Sequence, residues 1–217
     1  MTETRRDKAV AAIEQARISA IIRANDEDLA GDAMEAAIAG GFRVVEFTLT
    51  TPGALALVER FSKRGDVLVG AGTVLSPETA REAVSAGAQF LVAPIVDPAV
   101  IEEAHSLDVA SIPGAYSPTE MQTAHRYGAD FVKVFPAPAG GVDFIRAVRG
   151  PLPHLRLFPT NGVTAENLAA FLDAGCAGVG FVAPLFDPAA MAARDMGAIR
   201  KRAEAITAAL TAWQARR

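Results

Sequence analysis

Short apolar runs alternate with longer stretches whose apolar residues recur at helical spacing. Eight of the short runs read as strands: Ile18–Arg23, Val44–Leu49, Val67–Gly70, Phe90–Ala93, Val109–Ile112, Phe131–Phe135, Leu155–Phe158 and Gly178–Val182. They show no period-two alternation, as expected of strands covered on both faces. The stretches between them carry helix signals. Asp26–Ala39 contains Leu29, Ala33, Ala36 and Ala37 and stops at Gly40-Gly41. Ser76-Pro77-Glu78-Thr79 places a serine cap before a proline at the first helical position. Ser117-Pro118-Thr119-Glu120 and Thr164-Ala165-Glu166-Asn167 look similar, with Gly128 and Gly175 closing their helices. Asp97-Pro98 and Asp187-Pro188 open two more. The pattern also predicts a helix in front, Arg5–Ala16, and an amphipathic closing helix over Met191–Arg217.

Repeated strand–helix alternation predicts an α/β fold with a parallel sheet and right-handed crossovers. Eight units are enough to close a (β/α)8 TIM barrel, here with an extra N-terminal helix, and 217 residues lies at the compact end for such barrels. An open doubly wound sheet is the competing architecture. It usually carries a glycine-rich first turn, whereas Gly40-Gly41 ends a helix and no GxGxxG opens one. No linker or break in composition divides the chain, so one domain over residues 1–217 is expected.

Composition narrows the function. Apolar residues make up 51% and charged residues 21%, a globular balance rather than a disordered one. The net charge of −4 argues against nucleic-acid binding, which needs a basic face. No apolar run reaches the ~18 residues of a membrane span, and the polar start lacks the apolar core of a secretory signal. The single cysteine, Cys176, excludes an intrachain disulfide and reads as a small buried hydrophobe. A cytoplasmic protein with a small-molecule substrate is expected.

In a barrel the chemistry sits toward the C-terminal ends of the strands, so charges inside apolar runs stand out. Lys133 lies within Phe131-Val132-Lys133-Val134-Phe135. Lost hydration disfavours an ammonium there, and a neutral amine is the form that attacks a ketone to make a Schiff base. The plain alternative is a lysine that snorkels to the rim. Glu46, in Val44-Val45-Glu46-Phe47, reads either as a proton shuttle beside Lys133 or as half of an ion pair with Arg23 or Arg43. Arg23 ends the first strand and suits a carboxylate or phosphate, or simply solvent. Gly70-Ala71-Gly72-Thr73 offers close backbone approach and a hydroxyl. Pro159-Thr160-Asn161-Gly162-Val163 follows the seventh strand, where barrels often bind phosphate on backbone amides and a helix N-terminus. His105, His125 and His154 are scattered, without metal-ligand spacing, and read as surface residues. No metal and no cofactor is assigned.

Taken together, Val45-Glu46-Phe47-Thr48, Gly70-Ala71-Gly72-Thr73-Val74, Gly87-Ala88-Gln89-Phe90, Ile112-Pro113-Gly114, Phe131-Val132-Lys133-Val134-Phe135-Pro136 and Pro159-Thr160-Asn161-Gly162-Val163 form an ordered set. From about Ile18 to Leu185 the chain resembles the 2-keto-3-deoxy-6-phosphogluconate (KDPG) and 4-hydroxy-2-oxoglutarate (KHG) aldolases. The resemblance implies a homotrimeric class I aldolase, a lyase, on a (β/α)8 barrel. It places Lys133 on the Schiff-base lysine and Glu46 on the general acid/base. Thr73 and Pro94 fall on the pyruvyl pocket, and Arg23 on an arginine at the anionic end of the substrate. Some members carry an arginine where this chain has Thr50. Phosphate-binding members usually read Gly-Gly after the seventh strand and Gly-Ser after the eighth; here the counterparts are Asn161-Gly162 and Gly180-Phe181. A ring in place of a hydroxyl predicts weaker discrimination in favour of a phosphorylated substrate.

The reaction expected is reversible cleavage of a 2-keto-4-hydroxy acid to pyruvate and an aldehyde. The same chemistry on an unphosphorylated sugar acid, a phosphate-barrel isomerase or epimerase, and a non-catalytic binding barrel are the competing readings, because this fold hosts many functions.

Overall fold

The structure is a computed structural model describing residues 3–136 and 140–217. Helix α1 (Arg5–Ala16) precedes β1 (Ile18–Ile22). There follow α2 (Glu27–Ala39), β2 (Val44–Thr48), α3 (Ala54–Ser62), β3 (Leu68–Gly72), α4 (Pro77–Ser85), β4 (Phe90–Val92) and α5 (Pro98–Ser106). The chain continues through β5 (Ala110–Ile112), β6 (Gly114–Ala115), α6 (Pro118–Arg126), β7 (Val132–Val134), α7 (Val142–Arg149) and β8 (Leu157–Pro159). It ends with α8 (Leu168–Asp173), β9 (Val179–Phe181), α9 (Pro188–Ala192) and α10 (Met196–Gln214). All strand pairs are parallel, in the orders β5-β4-β3-β2-β1-β9 and β6-β7-β8. The last strand lies against the first, so this α/β fold has a curled parallel sheet.

The caps explain most boundaries. Ser76 and Ser117 each form a capping box and are followed by proline, while Asp26 and Asp97 accept from first-turn amides. Three boundaries differ from the sequence reading. Thr164 does not cap a helix: the Asn167 side chain accepts from its amide and donates to the Gly162 carbonyl, holding a loop until α8. The closing helix begins at Met196 rather than Met191, which belongs to α9, because Asp195 caps a fresh start on Ala198 after Arg194 turns left-handed at φ 50°. Neither glycine nor proline marks that break. The fifth strand is split at Pro113, which has no amide hydrogen to donate to a ladder.

Alternating strand positions face two cores. Ile18, Ala20, Ile22, Val45 and Phe47 pack outward beneath the helices. Val44, Phe90, Val92, Ile112, Phe131 and Phe158 pack inward, and α1 adds Ala9 and Ile13 to that inner core. Helix α1 is pinned there by the Arg6–Asp130 ion pair at 2.9 Å and by Asp108 accepting from the Arg5 amide. His105 is half-buried rather than a surface histidine; its Nε2 has no partner among the described residues, and burial lowers its pKa. Cys176 is buried, and burial pushes its thiol up to about 12.

Candidate active site

The inner face of the sheet carries few polar groups, and they converge. Glu46 is the middle residue of β2, in register with Ile21 of β1 and Gly70 of β3. Lys133 is the middle residue of β7, in register with Gly114 and Phe158. Thr160 follows β8 and bridges to Gly180 of β9. With Ser19 of β1, these side chains border one cavity of about 10 Å³, closed from below by Ile13. Glu46 is 2% exposed, Thr160 2% and Ser19 4%, and Glu46 Oε1, Thr160 Oγ1 and Ser19 Oγ have no hydrogen-bond partner among the described residues.

Burial raises the Glu46 pKa above the usual carboxylate range; the charges of Lys133 and Arg23 oppose the shift without cancelling it. A carboxyl whose pKa is raised by burial holds its proton more readily than a solvated one, which suits a group that must give and take a proton. Arg43 is not its partner, since its guanidinium donates to the Ile38 and Phe42 carbonyls. The glycines of β3 have a different use from the one their sequence suggested. A Cβ on Gly72 would collide with the Glu46 carboxylate, and one on Gly70 with the Phe90 ring. They make room for the site's own side chains.

Arg23 and Thr73 meet at the rim, where the guanidinium donates to Thr73 Oγ1 at 3.4 Å. Thr73 holds φ 63°, a strained conformation for a β-branched residue. Pro94 sits beside the Gly114 backbone, in a groove shared with Phe135. Thr50 is exposed and pairs with Thr48 at 3.1 Å. Asn161 and Gly162 are exposed, both with left-handed φ. No helix N-terminus backs them, because α8 begins only at Leu168. Among the described residues no cluster of three His, Cys, Asp or Glu is placed to hold a metal.

Phe181 requires a correction. Its ring is fully buried in the outer core, edge-on to Phe42 at 6.0 Å, and does not face the cavity. Gly180 is the inward residue, and a Cβ there would strike Ile21 and Thr160. The loss of phosphate discrimination expected from the Phe181 ring therefore has no geometric basis. Phe181→Ala should cost roughly 3–5 kcal/mol of stability in urea titration. The kcat/KM ratio between phosphorylated and unphosphorylated substrates should stay unchanged; a changed ratio would return the ring to the substrate site. Ser19 is the residue the sequence reading missed. Its only signal is a lone hydroxyl inside Ile18-Ser19-Ala20-Ile21-Ile22.

Comparison with known proteins shows the family. The KDPG and KHG aldolase family model matches residues 10–202. The chain is 37% identical over 172 residues to the 2-dehydro-3-deoxy-6-phosphogalactonate aldolase of Escherichia coli K12, covering 77% of this chain and 83% of that one. It is 38% identical over 160 residues to the 2-dehydro-3-deoxy-phosphogluconate aldolase of Pseudomonas aeruginosa, covering 73% of each. A solved structure of KDPG aldolase from Legionella pneumophila, with pyruvate captured as a covalent carbinolamine, superposes with a TM-score of 0.80 at 28% identity. It covers 91% of this chain and 97% of its own.

Proposed function

The chain belongs to the KDPG and KHG aldolase family and is a class I aldolase, and from that premise we propose that Lys133 and Glu46 carry its chemistry. The observation behind the assignment is that these two groups, from β7 and β2, border the same inner cavity. In the cleavage direction the Lys133 amine attacks the C2 ketone of a 2-keto-4-hydroxy acid. Glu46 gives a proton to the departing hydroxyl as the carbinolamine becomes a protonated imine. The Glu46 carboxylate then takes the C4 hydroxyl proton. The C3–C4 electrons move into the imine, the aldehyde leaves, and an enamine remains. Glu46 returns the proton to C3, and water releases pyruvate and the amine. The protonated imine is the electron sink throughout.

Arg23 and Thr73 would hold the substrate carboxylate at the rim, with Pro94 lining the pyruvyl end. Thr160, Asn161, Gly162, Gly180 and the Phe181 backbone amide would meet the aldehyde end. The Phe181 ring points away from the cavity, so it does not bar a phosphorylated substrate of the kind for which the two relatives are named. Treatment with pyruvate and borohydride should leave a reduced adduct on Lys133. Mass mapping that places it on Lys8, Lys63 or Lys201, or finds none, would sink the assignment.

The strands are read as one closed (β/α)8 barrel: β5 and β6 form a single strand bent at Pro113, and the Thr160–Gly180 bridge joins β8 to β9. A cytoplasmic homotrimer is proposed with it, supported by the exposed apolar side chains Ile95, Tyr116 and Tyr127 around one groove next to Pro94 and Phe135. No helix among the described residues is long and apolar enough to cross a membrane. Sedimentation equilibrium should return the mass of three chains; a single-chain mass would count against the trimer.

A further inference from the structure

We propose that Phe90 is a positioning residue of the aldol reaction: by filling the space over Gly70 it leaves the Glu46 carboxyl only the space over Gly72, nearer the mouth of the site. The proposal rests on the reading of Glu46 as the acid/base group. Glu46, Gly70 and Phe90 stand in register on β2, β3 and β4, and Gly72 is in register with Thr48 and Val92 one inward step above. The inner face of β3 therefore offers two places without a side chain, one above the other. Each has one occupant. A Cβ on Gly70 would overlap the Phe90 ring. One on Gly72 would overlap Glu46 Oε1 and lie 2.7 Å from its Cδ and 3.0 Å from its Cγ. Neither glycine has a left-handed φ, so no turn calls for glycine at either position. What both supply is room.

The register explains why the two occupants sort this way. Glu46 and Phe90 flank Gly70 from opposite sides at one level, so the vacancy straight across from Glu46 is the one over Gly70. The Phe90 ring takes it and is fixed there, 1% exposed and packed in the inner core with Val92, Ile112 and Phe158. The carboxyl leans instead toward Gly72, which lies about 6–7 Å further along β3. Val92 is the β4 residue level with Gly72, yet the three atoms nearest that space all belong to Glu46. The lean runs toward the C-terminal end of the strand, where Thr73 meets the Arg23 guanidinium at the rim. Hydrogen bonding does not set it, since Glu46 Oε1 has no partner among the described residues. Packing does. An acid/base group must come within hydrogen-bond reach of the atom it serves, and a misplacement of about 1 Å can cost roughly a hundredfold in rate.

The test is a double-mutant cycle on the full-length protein. Phe90→Ala opens the space over Gly70, and Gly72→Ala closes the space over Gly72. Each should lower kcat for aldol cleavage by about 10–100-fold, the effect of a misplaced group. Trapping of pyruvate on Lys133 by borohydride should stay near wild type, because the lysine keeps its place. Phe90→Leu keeps a branched side chain over Gly70 and should retain most of kcat. The Cβ of Gly72→Ala meets the far end of a flexible side chain rather than backbone, so that variant keeps the test open even where Phe90→Ala fails to fold. Circular dichroism checks the folding of each. In a Glu46→Gln background, Phe90→Ala and Gly72→Ala should each lower kcat by less than about twofold, because the group they misplace no longer moves a proton. The full loss persisting in that background would mean that both act elsewhere, and it overturns the proposal. Wild-type kcat in a folded Phe90→Ala or Gly72→Ala overturns it too. Full activity in Glu46→Gln alone would instead overturn the reading of Glu46, and the proposal with it.

Discussion

Lys133→Ala should lower kcat/KM for aldol cleavage by about 10⁴-fold or more, because no other amine among the described residues borders the cavity and the imine route closes with it. A loss of that size corresponds to roughly 5.5 kcal/mol of transition-state stabilisation. Lys133→Arg should be as inactive, since a guanidinium stays protonated and has no free pair to attack a ketone. The folded state should change little. Lys133 is only half-buried, and its ammonium lies 5.2 Å from the centre of the Phe135 ring. Circular dichroism and urea titration check the folding, and a coupled assay for pyruvate checks the rate. Residual activity within a hundredfold of wild type in a correctly folded Lys133→Ala would mean that another group forms the covalent intermediate.

Glu46→Gln should lower kcat by about 10²–10⁴-fold, the usual contribution of a positioned acid/base group. It should still allow some trapping of pyruvate on Lys133, because attack and proton movement belong to different side chains. Its stability carries a second signature. The folded pKa of Glu46 is raised, so the contribution of this carboxyl to stability is present below its unfolded pKa and is lost as the pH rises through the folded value. Glutamine does not ionise. Relative to wild type, Glu46→Gln should therefore gain stability as the pH rises above the ordinary carboxylate value, read as the difference in urea midpoints. A difference that is flat with pH would mean that Glu46 is not buried as a strained charge. Nearly full activity across neutral pH would remove it from the proton path.

Much of the architecture was legible before any coordinates. Strand-sized apolar runs at regular intervals, serine or aspartate caps followed by proline, and glycines after helices are local signals, and local hydrogen bonding obeys them. All eight predicted strand regions contain strands, and α1 has the limits its pattern suggested. The failures came where no breaker residue marks the change. Asp195 restarts a helix inside a continuous periodic stretch, and Asn167 holds a loop where Thr164 had the appearance of a cap. In both cases a side chain bonding to a backbone group a few residues away decided the outcome, and such competition leaves no trace in periodicity.

The site divides in the same way. Lys133 and Glu46 could be singled out from sequence because a charge inside a buried strand is costly wherever the strand goes, so its presence calls for a reason. Ser19 could not, because one hydroxyl in an apolar run carries little cost until its neighbours are known. Phe181 was misjudged for a related reason: a strand turns each successive side chain to the opposite face, so one step of register separates the substrate wall from the outer core. Gly70 and Gly72 looked like openings for a substrate and instead accommodate Phe90 and Glu46. The sequence by itself therefore determined which segments become strands and helices, and which charged residues are out of place, since those depend on neighbours along the chain. Only the tertiary structure decided which side chains share the cavity, which glycines are obligatory and which face Phe181 takes. Those depend on strands far apart in sequence that lie a few ångströms apart in space.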